Sequence, residues 1–101
     1  MNVTITKDSV SGCFRVAGNL CYANVVKSAR LGCGVIDKQP EVVFDLQDVI
    51  IDDDAVLALL INLIRYAKKE QKTIHFSHIP EKILDMAKVS GLIELLPILS
   101  S

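Results

Sequence analysis

The sequence is short of aromatic side chains and has no net charge of consequence. Aromatic residues make up 5% of the 101 residues and tryptophan is absent, whereas hydrophobic residues make up 50%, so the apolar mass is aliphatic. Eleven Lys and Arg residues stand against 12 Asp and Glu residues, which leaves a formal net charge of −1. Nucleic-acid binders draw much of their affinity from cations that neutralise phosphates, so we expect no nucleic-acid partner. Disorder is also excluded, because it requires few aliphatic residues and a large net charge.

Motifs of metal, redox and phosphate chemistry are missing as well. Cys13, Cys21 and Cys33 are widely spaced with no Cys-x-x-Cys pair, so the sequence indicates neither a zinc site nor a disulfide framework. The chain has no G-x-S-x-G nucleophile motif and no glycine-rich phosphate loop. His75 and His78 are three residues apart, which on a strand places them on opposite faces, where they cannot share a metal ion. We therefore expect no cofactor, no metal site and no catalytic residues.

The chain also lacks a long apolar run. The longest, residues 55–61 extended to 64, is about half of the roughly 20 residues that span a bilayer. The N-terminal segment has no signal-peptide pattern. These features predict a cytoplasmic protein that reaches a membrane only through a partner. A mean hydropathy of +0.39 is nevertheless high for a small domain. Either every aliphatic side chain is inside the domain, or part of the surface is apolar and meets a partner.

Periodic patterns order the chain as β-β-α-β-α-β-α, which predicts one α/β domain over residues 1–101 with helices packed on a mixed sheet. After an N-terminal hairpin, strands alternate with helices, and such crossovers give parallel strands. The first helix is expected to be capped by Asn24 and ended by Gly32 and Gly34. The predicted elements are strands at 2–7, 13–16, 41–46 and 73–79, helices at 24–31, 55–71 and from Pro80 to about Gly91, a loop at 47–54, and a short amphipathic tail at 92–99.

The segment 55–71 carries the strongest helical pattern. At roughly 100° per residue, Leu57 and Ile61 fall at the margin of the apolar face and are the aliphatic residues expected to be exposed. The apolar face itself comprises Val56, Leu59, Leu60, Leu63, Ile64 and Ala67. In the last helix the apolar side is assigned to Ile83, Leu84, Met86, Ala87 and Val89.

Asp52, Asp53 and Asp54 precede this helix and allow three interpretations. One or two of them could cap the helix, where a carboxylate accepts free N–H groups and complements the macrodipole. The run Asp52–Val56 also fits the D-x-D-x-[TV] pattern of haloacid-dehalogenase-like phosphotransferases, in which the first aspartate is a nucleophile. Those enzymes need a longer chain and further acidic ligands. The third interpretation is a loop recognised by a partner protein.

The order of elements and four segments resemble a STAS domain, the fold of anti-sigma factor antagonists. Across essentially the whole chain, the small STAS subunit of Mla-type phospholipid ABC transporters is the most similar type. The segments are FRVAGNL at 14–20, VVFDLQDV at 42–49, LALLINLIRYAKKEQKTIHF at 57–76 and KILDMAKVSGL at 82–92. The resemblance implies a binding protein rather than an enzyme.

The resemblance also assigns roles to the acidic loop. In the antagonists this loop reads Asp-Ser/Thr-x-Gly, and a partner kinase phosphorylates the hydroxyl. Asp53 matches the aspartate, and Asp54 falls on the hydroxyl position, so the acceptor group is missing. In the transporter family the subunit binds the cytoplasmic ATPase through this loop and the following helix. Carried over, this implies docking through Asp53, Asp54, Val56, Leu57 and Ile61 to an ABC transporter ATPase subunit, or alternatively to an anti-sigma factor or kinase.

Overall fold

The computed structural model describes residues 3–97 as four strands and three α-helices in the predicted order. A 3₁₀ turn, Ile93–Leu95, follows the last helix and forms part of the predicted tail at 92–99. Residues 98 and 99 of that predicted tail lie outside the described residues. The elements are β1 (Thr4–Lys7), β2 (Phe14–Leu20), α1 (Val25–Asp37), β3 (Glu41–Ile51), α2 (Ala55–Lys69), β4 (Thr73–Ser77) and α3 (Glu81–Val89).

The sheet has the order β1-β2-β3-β4, with β1 antiparallel to β2 and the other neighbours parallel. Both β-α-β crossovers connect adjacent strands in the same direction. Because such crossovers are right-handed, α1 and α2 lie side by side on one face of the sheet. The predicted mixed α/β sheet and order of elements are confirmed. Within the described residues, no helix is both long and apolar enough to cross a membrane.

The core lies between this face of the sheet and the helices. Phe44 of β3 and Phe76 of β4 are register partners, both fully buried, with ring centroids 6.2 Å apart. Leu60 and Leu63 of α2 and Ile83 of α3 are also buried. Most of the aliphatic mass noted in the sequence is therefore inside, which leaves a short set of exposed apolar side chains to explain.

The loop predicted at 47–54 is largely strand, because β3 contains a bulge. Three steps along β3 correspond to two along β2, and the Asp45 carboxylate accepts the backbone N–H of Gln47 at 2.9 Å. Because of the extra residue, the next buried side chain after Leu46 is Val49, three positions on instead of two. That shift breaks the alternation that a sequence pattern relies on, and β3 runs on to Ile51. β2 likewise continues beyond its predicted end.

The predicted end of α1 at Gly32 and Gly34 is wrong, since the helix continues to Asp37. Gly32 is buried at the crossing with α2, where a Cβ atom would lie 2.5 Å from Leu63 Cδ2. This glycine therefore permits close helix packing rather than ending the helix. Asn24 does occupy the N-cap position of α1, but the predicted side-chain cap is wrong, because its side-chain oxygen accepts the N–H of Cys21 at 3.1 Å instead of an N–H of the first turn.

Two left-handed residues shorten the later elements relative to their predicted bounds. Gln71 has φ 58° and follows the end of α2 at Lys69, and His78 has φ 51° and follows the end of β4 at Ser77. Because His78 leaves the strand, the opposite-face argument for the two histidines does not apply. Its Nδ1 instead lies 3.3 Å from the Asp45 carboxylate.

A hydrogen bond from the Tyr66 hydroxyl to the Asp37 carboxylate, 2.5 Å long, joins α2 to the end of α1. This bond to Asp37, with some desolvation, raises the pKa of Tyr66 from 10.0 to about 12. The stabilisation of the folded chain by this hydrogen bond is complete below pH 10.0 and is lost as the pH rises towards about 12.

We expect Asp37→Asn to lower the pKa of Tyr66 towards 10.0. The ultraviolet absorbance of tyrosinate, followed in a Tyr22→Phe background, measures this change. An unchanged midpoint would contradict the assignment.

Candidate docking site

The acidic loop, residues 52–54, lies at the carboxyl end of the parallel strands. β3 ends at Ile51 and α2 begins at Ala55, so all three aspartates stand between the central strand and a helix N-terminus. The turn that follows β2 lies beside them. Crevices at this edge of a parallel sheet are common binding positions. The topology therefore presents the loop outward, as a partner-binding interpretation requires.

Each aspartate accepts a different hydrogen bond. Asp52 accepts one from the Asn19 side chain of β2. Asp53 accepts the Ala55 N–H at 2.9 Å and, more weakly, the Tyr22 N–H at 3.4 Å. Asp54 accepts the Tyr22 hydroxyl and forms no side-chain cap. The capping role thus falls to Asp53, and the Asp54 carboxylate is left at the surface.

Tyr22 is a member of this site that the sequence did not indicate. Its side chain is 61% exposed, and its hydrogen bond to Asp54 raises the pKa of the phenol. The phenol therefore stays protonated at neutral pH and acts as a donor to the carboxylate. The available signal was an aromatic residue in a turn after a strand, in a chain with only five aromatic residues.

The structure separates the three apolar residues expected at the site. Val56 is fully buried, Leu57 is 8% exposed and Ile61 is half-buried. The predicted exposure of Leu57 is wrong, because α3 lies against that flank of α2, where Leu57 and Met86 line the same depression. Val56 and Leu57 therefore pack the start of α2 onto the core, and Ile61 is the most accessible of the three.

A depression of about 340 Å³ lies next to the loop, between the start of α2 and the end of α3. Val89, which the sequence pattern placed on the apolar side of α3, stands at its rim with 91% of its surface exposed. The depression is lined by Asp54, Leu57, Asp85, Met86, Val89 and Ser90. Its apolar floor and acidic edge make it suited to a protruding apolar side chain flanked by cations.

The acidic loop brings carboxylates together without forming a metal-ligand cluster. Among residues 3–97, no group of three or more His, Cys, Asp or Glu side chains is placed to hold a metal ion. The aspartates of the loop are held by separate donors from β2, the following turn and α2. What the site presents is a fixed acidic surface beside an apolar depression.

Fold and site together define a small α/β domain with an acidic loop at the switch from the central strand to its helix. The STAS domain model matches residues 2–101, and the chain belongs to this family. No curated protein matches the chain.

Solved structures agree with the fold. A chain of the Acinetobacter MlaFEDB complex, in its ATP-bound Vtrans2 conformation, is 23% identical, with a TM-score of 0.77 over 96% of this chain and 100% of that one. A STAS domain protein from Planctomyces limnophilus, described as an anti-sigma-factor antagonist, is 17% identical, with a TM-score of 0.72 over 98% and 90%. The unphosphorylated anti-sigma factor antagonist SpoIIAA is 12% identical, with a TM-score of 0.68 over 97% and 90%.

Proposed function

We propose that this chain is a non-catalytic STAS subunit of a phospholipid-transporting ABC complex, docked on the cytoplasmic ATPase and associated with the membrane only through it. The observation that carries this proposal is the Asp54 carboxylate, which is exposed beside an apolar depression at the start of α2. The similarity to a chain of the MlaFEDB complex supports the same assignment.

The charge at residue 54 favours constitutive docking over a switch. The loop contains no Ser or Thr from Asp52 to Val56, so it has no hydroxyl to phosphorylate. Phosphorylation would add about −1.5 to −2 charges at such a site, whereas an aspartate carries a permanent −1. The Tyr22 hydroxyl fixes the orientation of this carboxylate. A partner therefore meets the same acidic surface at all times.

We define the docking face as Asp53, Asp54, Ile61, Met86 and Val89. Two of its members are carboxylates, and the other three are apolar side chains that are half-buried or exposed. A complementary ATPase surface would place cations opposite the loop and an apolar side chain in the depression. Val56 and Leu57 contribute indirectly, by fixing the start of α2 on the core.

Co-purification tests the proposal directly. The tagged chain, expressed in its own cells and isolated under mild detergent, is expected to retain an ABC ATPase and its permease. Recovery of an anti-sigma factor or a serine kinase in place of the ATPase would contradict the proposal and favour an antagonist-like regulator.

The charge-reversal variant Asp54→Lys is expected to weaken ATPase binding by roughly tenfold, because it places like charges across the interface. Biolayer interferometry on the purified pair measures the change. Glu41→Lys is the matched control, since Glu41 is exposed at the opposite end of β3. If Asp54→Lys and Glu41→Lys bind the ATPase equally tightly, the acidic loop is not part of the interface.

A further inference from the structure

A second surface lies on the other flank of α2, in a groove between α1 and α2 of about 580 Å³. Its floor is apolar and includes Val26, Ala29 and Cys33 of α1. The rim carries three cations. They are Arg30, Arg65 and Lys69. The α2 residues that line this groove differ from those that line the depression beside the acidic loop, so the two surfaces are separate.

The cations of the rim have no anionic partner in the described part of the chain. All three side chains are exposed, and none forms an ion pair with residues 3–97. The groove has one carboxylate, Asp37, which lies at one end and accepts the hydroxyl of Tyr66. Three cations against one engaged carboxylate give the groove a net positive charge, although the chain as a whole is slightly acidic. Charge complementarity therefore favours an anionic occupant.

The shape of the groove favours a peptide segment over a bilayer. Its length from Val26 to Asp37 spans three turns of α1, about 16 Å. Val26 remains 63% exposed at one end, while Ala29 and Gly34 leave room for close approach along the floor. A membrane is met by protruding apolar side chains, whereas a concave apolar floor between cationic rims fits the face of an amphipathic helix.

We propose that the α1–α2 groove binds an acidic amphipathic helical segment of a protein partner. Its apolar side chains would cover Val26, Ala29 and Cys33, and its carboxylates would pair with the cations of the rim. This surface goes beyond the docking face and can be occupied at the same time.

The test uses a fluorescent helical peptide of about three turns, with leucines on one face and glutamates on both sides of them. Its twin has lysine at every glutamate position. The acidic peptide is expected to bind the chain at least roughly tenfold more tightly than the twin, with an affinity that falls as salt is added. Amide chemical-shift changes should map to α1 and the second half of α2.

Matched variants locate the binding. The double variant with Arg30→Glu and Arg65→Glu is expected to abolish binding of the acidic peptide. The single variant Arg65→Gln, which removes one charge without reversing it, is expected to weaken binding. Lys27→Glu with Lys68→Glu makes the same charge change on the same helices outside the groove, at exposed positions, and should retain most of the binding. Asp54→Lys should bind the acidic peptide as the wild type does, which separates this inference from the proposed docking face.

Three results would overturn the proposal. One is equal affinity for the two peptides, and another is equal loss in the groove and control variants. The third is binding to vesicles of phosphatidylglycerol and phosphatidylcholine through Arg30 and Arg65 with no binding of the acidic peptide, which would identify a membrane-binding surface. Circular dichroism of every variant establishes that a loss of binding is not a loss of fold.

Discussion

Replacing Gly32 by alanine is expected to lower the free energy of unfolding by about 1–3 kcal/mol, even though alanine is the better helix former. The added Cβ would lie 2.5 Å from Leu63 Cδ2 and 3.3 Å from Leu63 Cδ1. Leu63 is 2% exposed and packed in the core, so its side chain has little room to move away. Leu63 would have to change its rotamer or the two helices would have to move apart, and either change loosens the contact between α1 and α2.

Gly34 supplies the matched control in the same helix. A Cβ atom there meets nothing within 4 Å, so Gly34→Ala should leave stability unchanged or raise it by about 0.5–1 kcal/mol. Urea unfolding followed by circular dichroism measures both variants. Similar effects at the two positions would show that close packing at Gly32 does not set the distance between α1 and α2.

These two glycines also show where sequence reasoning stops. Gly32 and Gly34 look like a helix end, because C-terminal glycines are common. What keeps Gly32 inside the helix is a contact with Leu63, thirty-one positions away, which no local pattern contains. The predicted end of β3 at Leu46 is wrong for a similar reason. A bulge, at which the Asp45 carboxylate accepts a backbone N–H, reverses the alternation that predicts strands. The order of elements could be predicted because each element has its own period.

The candidate site divides in the same way. The acidic loop could be located from the sequence, since three consecutive aspartates before a helical pattern are visible without a fold. Tyr22 could not, because its hydroxyl reaches Asp54 only when β2 and β3 are neighbours. The exposure of Leu57 was misjudged because a helical wheel describes one helix and takes no account of α3 beside it. The assignment of Val89 to the apolar side of α3 is also wrong. A helical wheel of α3 places Val89 far from the buried Ile83.

Charge placed at Leu57 is therefore expected to damage the fold rather than the docking face alone. Leu57→Asp removes an 8%-exposed side chain from the core cluster and puts a carboxylate beside Asp54 and Asp85. The lost burial and the desolvated charge together should cost about 3 kcal/mol, a large share of the stability of a domain this size. Urea unfolding measures the cost, and a loss below about 0.5 kcal/mol, the level of surface substitutions, would restore Leu57 as an exposed residue.

Val89→Asp should show the opposite behaviour. Val89 is 91% exposed, so its replacement is expected to change the free energy of unfolding by no more than about 0.5 kcal/mol, as surface substitutions do. On the docking face, however, it removes the apolar contact at the rim of the depression and replaces it with a carboxylate that must lose its water on binding, so ATPase binding should fall by at least roughly tenfold. Val10→Asp, at a 94%-exposed valine in the turn between β1 and β2, is the control for charge and exposure. Wild-type affinity in Val89→Asp would place the ATPase on a different surface.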